Sequence, residues 1–329
     1  MAPFEIAVNN MRAVLYVLGA IVLAALVIIG PFKLGWWNPS LDDLKAKYAT
    51  ASSKFVVVDG VPLHITDDGN KDSALAPLIL INGHLGNLRM WDGWLPVLSP
   101  QMRVIRLDFP PYGLSGPDPK GVYSSARAVE LLGGLIDQLN LSTVNLGGTS
   151  NGALVATLYA IKNPTRVGKL VVSTLPNGRP PKRDPAPEMI QGAKINGWMA
   201  PYQTQMFYRA FLRDVFAKPE RANEGLVAQY ADVNNRAGAK AWVDAYIHTQ
   251  YQFWDSTDVP ALFAQLTTPT LLQWGDGGRV LPPFVGDIVR DQLKNAQLVM
   301  KRYPDAGHMP MLELPEQTAN DALVFLAAP

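Results

Sequence analysis

Residues 148–152 read Gly-Thr-Ser-Asn-Gly, a G-x-S-x-G pattern centred on Ser150. The pattern follows the predicted strand 144–146 and precedes a helical pattern, so it occupies a turn between a strand and a helix. A serine on so sharp a turn has a strained backbone, and its hydroxyl stands above the edge of the sheet. The glycines leave room for the neighbouring strand and helix. We predict that Ser150 is a nucleophile, against the alternative of a plain glycine-rich turn.

A neutral serine needs a general base, and His308 is the candidate. It lies in the loop that leaves the last predicted strand, at the carboxyl end of a parallel sheet, and it follows Ser150 in the chain. The Asn151 amide, at the start of the helix after Ser150, is predicted to point at a developing oxyanion. His64 and His248 are interpreted as structural histidines, in a hairpin strand and in a helical segment.

Short apolar runs separated by turns or helical patterns position these residues. An Asp59-Gly60 turn predicts a β-hairpin at the start of this region. Strands alternating with helices then predict parallel βαβ units in an open, doubly wound, mostly parallel sheet. The predicted strand runs are 55–58, 61–65, 78–81, 104–107, 144–146, 170–172, 270–274 and 297–303.

The alternation stops between residues 177 and 263, where a proline-rich segment precedes aromatic-rich helical patterns. This interval is much longer than a βαβ crossover needs. We therefore predict a helical lid at 177–263, inserted between core segments 55–176 and 264–329. Trp198, Phe207 and Trp254 are candidates to line an acyl or aryl pocket, although most aromatic residues in a lid form its own core.

Composition excludes several kinds of site. The 29 basic and 28 acidic residues leave a net charge of about +1, which gives no basic field for nucleic acid. No cysteine is present, which excludes disulfides, thiolate metal sites and a cysteine nucleophile. The four histidines have no tight metal-ligand spacing, so we expect neither a metal nor another cofactor.

The segment Ala13 to Gly30 carries no charge and predicts a transmembrane anchor. At ~1.5 Å per residue it spans roughly 27 Å, close to the hydrocarbon thickness of a bilayer. The alternatives are a cleaved signal peptide, against which stands the lack of a small-x-small cleavage site, and a buried core helix. Residues 1–12 are then an amino-terminal tail and 31–54 a stalk. Basic residues flank both ends, so charge does not fix the orientation; we expect an extracytoplasmic catalytic domain.

Four motifs together give the chain, from Phe55 to its carboxyl end, a resemblance to the α/β-hydrolase superfamily. The resemblance is to its esterase, lipase and C–C-hydrolase-like branch with a helical lid, which includes membrane-tethered members. The motifs are Gly148-Thr149-Ser150-Asn151-Gly152, Asp108-Phe109-Pro110-Pro111-Tyr112-Gly113-Leu114-Ser115, Trp274-Gly275-Asp276 and Pro304-Asp305-Ala306-Gly307-His308.

The resemblance implies two further roles and reveals three departures. The backbone amide of His84 is implied as the second oxyanion donor. Asn82 replaces the usual histidine of a His-Gly pair, and Pro111 replaces a usual glycine. In similar sequences the triad acid follows the tryptophan by four residues, which is Gly278 here. Asp276, two residues earlier, is therefore the candidate acid; a displaced acid and a Ser–His dyad are the alternatives.

These observations predict a serine hydrolase, most simply a carboxylesterase for a small, fairly hydrophobic ester. Ser150 argues against the related enzymes that use an aspartate nucleophile. Lactone, amide and C–C bond hydrolysis stay open, because a triad does not choose its substrate. The departures at Asn82, Pro111 and Gly278 motivate an alternative: a membrane-tethered scaffold or partner protein that keeps the fold with little or no catalysis.

Overall fold

An eight-stranded sheet forms the centre of the computed structural model, which describes residues 2–329. The strands are β1 (Ser53–Val58), β2 (Val61–Gly69), β3 (Leu78–Ile81), β4 (Arg103–Leu107), β5 (Val144–Thr149), β6 (Val167–Ser173), β7 (Thr270–Gly275) and β8 (Leu298–Tyr303). Their order across the sheet is β1-β2-β4-β3-β5-β6-β7-β8. β2 is antiparallel to β1 and β4, and all other neighbours are parallel. The predicted doubly wound, mostly parallel sheet is confirmed.

Thirteen α-helices are assigned within residues 2–329. They are α1 (Ala2–Lys33), α2 (Leu41–Tyr48), α3 (Leu95–Leu98), α4 (Ser125–Gln138), α5 (Asn151–Lys162), α6 (Pro187–Met199), α7 (Gln205–Val215), α8 (Glu224–Asn234), α9 (Ala239–Ser256), α10 (Val259–Phe263), α11 (Pro283–Gln292), α12 (Pro310–Glu313) and α13 (Pro315–Ala327). Short 3₁₀ helices occupy Leu88–Trp94, Pro164–Arg166 and Pro219–Arg221.

The central strands explain why the sheet is rigid where the site lies. All residues of β3, β5 and β7 are buried, as expected for strands covered by helices on both faces. The predicted hairpin turn joins β1 to β2, and its residues Asp59 and Gly60 have φ angles of 48° and 81°. Both central residues of the turn thus have positive φ, as the twist of a tight hairpin requires.

Helices α6 to α10 occupy the chain between β6 and β7, in the interval where the sequence predicts a lid. The lid is attached to the core through backbone groups. The Val215 carbonyl, at the end of α7, accepts from the His308 amide at 2.7 Å, and Thr249 of α9 donates to the Tyr123 carbonyl at 2.6 Å. The lid therefore contacts the loops at the carboxyl edge of the parallel strands.

The amino-terminal helix α1 is longer than the predicted anchor, because residues 2–12 and 31–33 are helical too. Its segment Met11–Lys33 has a mean hydropathy of 2.8, and none of its most apolar window is buried. Length and composition make α1 a candidate membrane span.

The predicted stalk is structured and lies against the body of the protein. Leu44 of α2 is buried, and the side chains of Lys47 and Tyr48 both bind Asp232 of α8, each at 2.6 Å. The segment between α1 and β1 is thus attached to the lid.

Candidate active site

Ser150 stands on a strained turn between β5 and α5, with φ 52° and ψ −121°. Its amide donates to the Ser173 carbonyl at the end of β6 at 3.0 Å, which holds the turn against the sheet. A Cβ at Gly148 would lie 2.5 Å from the backbone of Gly152, and a Cβ at Gly152 would lie 2.4 Å from the Asn82 carbonyl oxygen. Both glycines are therefore required for the close approach of strand and helix, as the sequence predicts.

His308 lies in the loop after β8 and is fixed by its own backbone. Its amide donates to the Val215 carbonyl, and its carbonyl accepts from the Thr174 hydroxyl at 2.8 Å. A Cβ at the preceding Gly307 would lie 2.6 Å from both the Val215 carbonyl oxygen and the Ala217 amide. Glycine at 307 thus lets the histidine loop pass directly beneath the lid.

Glu313 is a buried carboxylate that the sequence analysis did not single out. It accepts from the Gly307 amide at 2.5 Å and from the Ala217 amide at 3.0 Å, and it pairs with Arg221. Burial raises the pKa of its carboxyl, while these backbone donors act in the opposite direction. Glu313 therefore joins the histidine loop to the lid and belongs to the scaffold of the site.

The imidazole of His308 lacks a carboxylate partner. Among residues 2–329, Nδ1 of His308 is buried and has no hydrogen-bond partner. Neither nitrogen of the imidazole is hydrogen-bonded to the Ser150 hydroxyl in this part of the chain. Burial lowers the pKa of His308 to about 4, and the charges of Arg183 and His84 add to that shift. His308 is consequently neutral at pH 7, as a general base must be, but the imidazolium formed in a reaction has no adjacent negative charge.

Asp276 and His308 are not brought into contact. Asp276 lies directly after β7, and its carboxylate accepts from Nε of Arg302 at 2.9 Å in a partly exposed ion pair. The place that the family pattern gives to the acid is Gly278, where a Cβ would lie 3.5 Å from the Gly307 carbonyl carbon and 3.2 Å from two carbonyl oxygens. Asp276 as the triad acid stays a prediction, and the observed contacts give this carboxylate another partner.

The loop after β3 crosses directly over the nucleophile. A Cβ at Gly83 would lie 3.4 Å from Ser150 Cβ, so the adjacent His84 is close to the reacting centre. The Asn82 carboxamide donates to the carbonyls of Gly83 and Gly86, both at 3.0 Å, and accepts from the Phe109 amide. Asn82 thus stabilises the loop from within, which gives this departure from the family pattern a structural role.

Ser150, Asn151, His84 and His308 all line one cavity of about 200 Å³ between the sheet edge and the lid. Most of its other walls are apolar. They comprise Gly83, Thr149, Pro176, Gly178, Pro180, Arg183, Phe211, Val215, Tyr246, Ile247, Gln250, Tyr251, Trp254, Val280, Leu281 and Met309.

The structure places one of the three predicted pocket aromatics in the cavity wall. Trp254 lines the cavity, whereas Trp198 is 72% exposed on α6 and Phe207 packs where α7 meets Gly192 of α6. An aromatic-rich sequence does not reveal which face of a lid helix turns inward, and substrate contact by all three residues stays a prediction. Most of the observed wall residues are aliphatic or isolated in sequence and carry no motif.

Arg183 brings a positive charge to the cavity that sequence analysis missed. Its guanidinium pairs with Asp214 of α7, a carboxylate that is almost fully buried. The proline-rich stretch around Arg183 has no periodic pattern, so nothing local in the sequence indicated its direction.

The geometry supports acyl transfer in chemical terms. A strained serine and a neutral histidine line one cavity with mostly apolar walls, together with Asn151 and His84, whose backbone amides are the predicted oxyanion donors. Groups of three or more potential metal-ligating side chains are not found among the described residues.

The chain is similar to known lipases and hydrolases. Lipase 3 of Moraxella sp. (strain TA144) is 26% identical over 298 residues, covering 89% of this chain and 88% of the lipase. A 2-hydroxy-6-oxononadienedioate/2-hydroxy-6-oxononatrienedioate hydrolase of Cupriavidus pinatubonensis is 26% identical and covers 78% of this chain and 89% of that enzyme. A bacterial membrane phospholipase A shares the fold, with a TM-score of 0.69 and 22% identity over 96% of this chain and 98% of that chain.

Residues 76–315 match the sequence profile of the α/β hydrolase fold. The curated relatives are named lipases, esterases and hydrolases, and this chain is a hydrolase as they are. It belongs to the α/β-hydrolase fold family.

Proposed function

We propose that the protein is a serine carboxylesterase for a hydrophobic ester, with Ser150 as nucleophile and His308 as general base. The observation that carries the proposal is the strained Ser150 at the carboxyl end of β5, in the same apolar cavity as His308. Relatives named as lipases and as a methyl ester esterase support an ester among the possible substrates.

The reaction would follow the acyl-enzyme route. His308 removes the proton of the Ser150 hydroxyl as its oxygen attacks the ester carbonyl, and the amides of Asn151 and His84 hold the oxyanion. When the tetrahedral intermediate collapses, His308 returns the proton to the departing alcohol. Water, activated by the same histidine, then releases the acid and regenerates Ser150.

We propose that no carboxylate completes a catalytic triad in this conformation and that Ser150 and His308 act as a dyad. Asp276, the candidate acid, is paired with Arg302 instead. A dyad lacks the carboxylate that stabilises the imidazolium, so turnover should be slow compared with a complete triad. The apolar cavity walls favour a short to medium acyl chain, which a chain-length series of p-nitrophenyl esters measures.

A fluorophosphonate probe tests the proposal at the nucleophile. The purified wild type should become labelled, and Ser150→Ala should lose labelling and p-nitrophenyl ester hydrolysis together. Ser53→Ala is the matched control: Ser53 Oγ lies 2.9 Å from Nε2 of His64 but stands on an ordinary strand, so labelling should persist. A folded wild type that is neither labelled nor hydrolytic would support the non-catalytic scaffold instead.

We also propose that α1 anchors the protein in a membrane. The hydropathy of α1 supports this proposal. The likeness to the membrane phospholipase supports it too, because the matched region covers 96% of this chain and must therefore include part of α1. An uncleaved anchor predicts that the full-length protein stays in the membrane fraction after an alkaline carbonate wash. Release of a shortened protein would indicate a processed signal peptide.

A further inference from the structure

The imidazole of His84 has no role in the mechanism above, which uses only its backbone amide. The side chain nevertheless lines the cavity beside Ser150 and is positioned by several contacts. Its Nδ1 lies 2.7 Å from the Tyr112 hydroxyl, and its ring meets the rings of Tyr112 and Phe211 edge to face. A ring held on these sides has a defined direction in the cavity.

The partners of His84 fix which ring nitrogen carries the proton. Burial raises the pKa of Tyr112 well above its usual value, so its hydroxyl keeps its proton. That hydroxyl is buried, and Nδ1 of His84 is its one hydrogen-bond partner among the described residues, so the Tyr112 hydroxyl donates to Nδ1. An imidazole that accepts at Nδ1 carries its proton at Nε2.

The Nε2 atom has no hydrogen-bond partner among the described residues, although it belongs to a side chain of the cavity wall. Burial lowers the pKa of His84 to about 4, so the ring is neutral at pH 7. His84 and His308 line the same cavity, whose wall also includes Ser150. The cavity thus contains an uncharged N–H donor beside the reacting centre.

We propose that the Tyr112–His84 pair forms a polar subsite that binds an oxygen acceptor on the acyl group of the substrate. The class of substrate is an ester whose acyl chain carries an oxo or hydroxyl oxygen a few carbons from the scissile carbonyl. Such a substrate fills the apolar cavity and accepts from Nε2–H of His84, whereas a plain alkyl chain leaves this donor without a partner. This inference rests on the proposed esterase function.

Paired substrates test the subsite. Each p-nitrophenyl ester with an oxo group on the third, fourth or fifth acyl carbon is compared with its methyl-branched isostere, and the ratio of their kcat/KM values is measured. At least one oxo ester should be preferred by the wild type, and His84→Ala should lower that ratio about tenfold, the effect of one hydrogen bond. Arg183 is present in the wild type and in His84→Ala alike, so the change in the ratio reports on His84.

Tyr112→Phe should lower the same ratio, because Nδ1 loses its donor and the proton is free to move to it. Tyr230→Phe is the matched control: Tyr230 is equally buried, but its hydroxyl donates to the sulfur of Met309. General damage to the oxyanion loop would slow both esters of a pair and leave the ratio unchanged. A ratio that is unchanged in both His84→Ala and Tyr112→Phe would overturn the subsite.

A second measurement needs no turnover. In ¹⁵N-histidine spectra of the full-length protein at pH 7, His84 should be neutral with its proton on Nε2, assigned by the loss of its signals in His84→Ala. The opposite tautomer would contradict the chain of donors even in an active enzyme. Failure of the wild type to hydrolyse any ester would instead overturn the proposed esterase function, and the substrate subsite with it.

Discussion

His64 and His308 are both buried histidines, but the features of a catalytic centre are divided between them. His64 on β2 has a complete set of partners: Asp108 lies 2.7 Å from its Nδ1 and Ser53 lies 2.9 Å from its Nε2. His308 has neither of these contacts, since its Nδ1 has no partner and its serine is not hydrogen-bonded to it. Hydrogen bonds alone would point to His64 rather than to His308, the general base that we propose.

Backbone geometry and space distinguish the two sites. Ser53 begins an ordinary strand, and the cavity beside His64 and Asp108 measures about 10 Å³, too small for a substrate. Asp108 also accepts from the amides of Leu88 and Leu114, so the His64 cluster joins several loops. Ser150, in contrast, stands on a strained turn in a cavity of about 200 Å³. The hydrogen-bond network at His64 is complete and buried, whereas His308 faces a cavity with room for a substrate.

The largest effect should come from alanine at each histidine in turn. His308→Ala should lower kcat/KM for a p-nitrophenyl ester by ~10³-fold or more, because the general base is lost. His64→Ala should leave turnover of the folded enzyme within a few fold, yet lower the free energy of unfolding by about 2–4 kcal/mol, since a buried hydrogen-bonded ring is lost. Ester hydrolysis and thermal unfolding are measured on both variants. Lost activity in His64→Ala together with retained activity in His308→Ala would refute this assignment of roles.

The second largest effect should be a gain in kcat/KM from placing a carboxylate at position 278. Gly278→Asp puts a carboxylate where the family pattern has one, and the backbone there does not have a positive φ that would exclude a side chain. Losing an orienting carboxylate costs ~10⁴ in turnover in a complete triad. Since the new carboxylate will not be ideally placed, we expect kcat/KM to rise about 100-fold.

Gly278→Asn has the same shape without the charge and is the matched control. It should not raise activity, and equal gains in both variants would contradict an electrostatic cause. The pH profile gives a further check. The low pKa of His308, about 4, should keep wild-type kcat/KM level down to about pH 5, with the fall at lower pH where the base is protonated. In Gly278→Asp the negative charge raises that pKa, and the fall should move to higher pH.

The fold and the strained turn that carries Ser150 could be predicted because local sequence determines them. The apolar runs around Ser150 and the two glycines of its turn leave one arrangement of strand, turn and helix, and the structure has it. The Asp59-Gly60 hairpin was equally local. Predicting these features does not require knowing which distant segments pack against them.

The rest of the site depends on contacts between distant segments. Arg183 reaches the cavity because of its contact with Asp214 on another part of the lid, and Glu313 matters through amides almost a hundred residues away. Trp198 and Phe207 fit a pocket lining by residue type but face elsewhere. Side-chain direction within the lid is decided by tertiary packing, which composition and periodicity do not contain.

The smallest effect is expected at Asp276, which lies two residues before the place that the family pattern gives to the acid and is paired with Arg302. With Asp276 paired to Arg302, Asp276→Asn should change kcat/KM by less than about threefold, because a partly exposed ion pair contributes little. Arg302→Gln is the informative companion, since it frees Asp276 without removing it. If Asp276 can turn to His308, Arg302→Gln should raise activity and Asp276→Asn should then abolish the gain. A fall of orders of magnitude in Asp276→Asn alone would instead show that this carboxylate already orients His308 during turnover, and the contrast between the two histidines would disappear in the working enzyme.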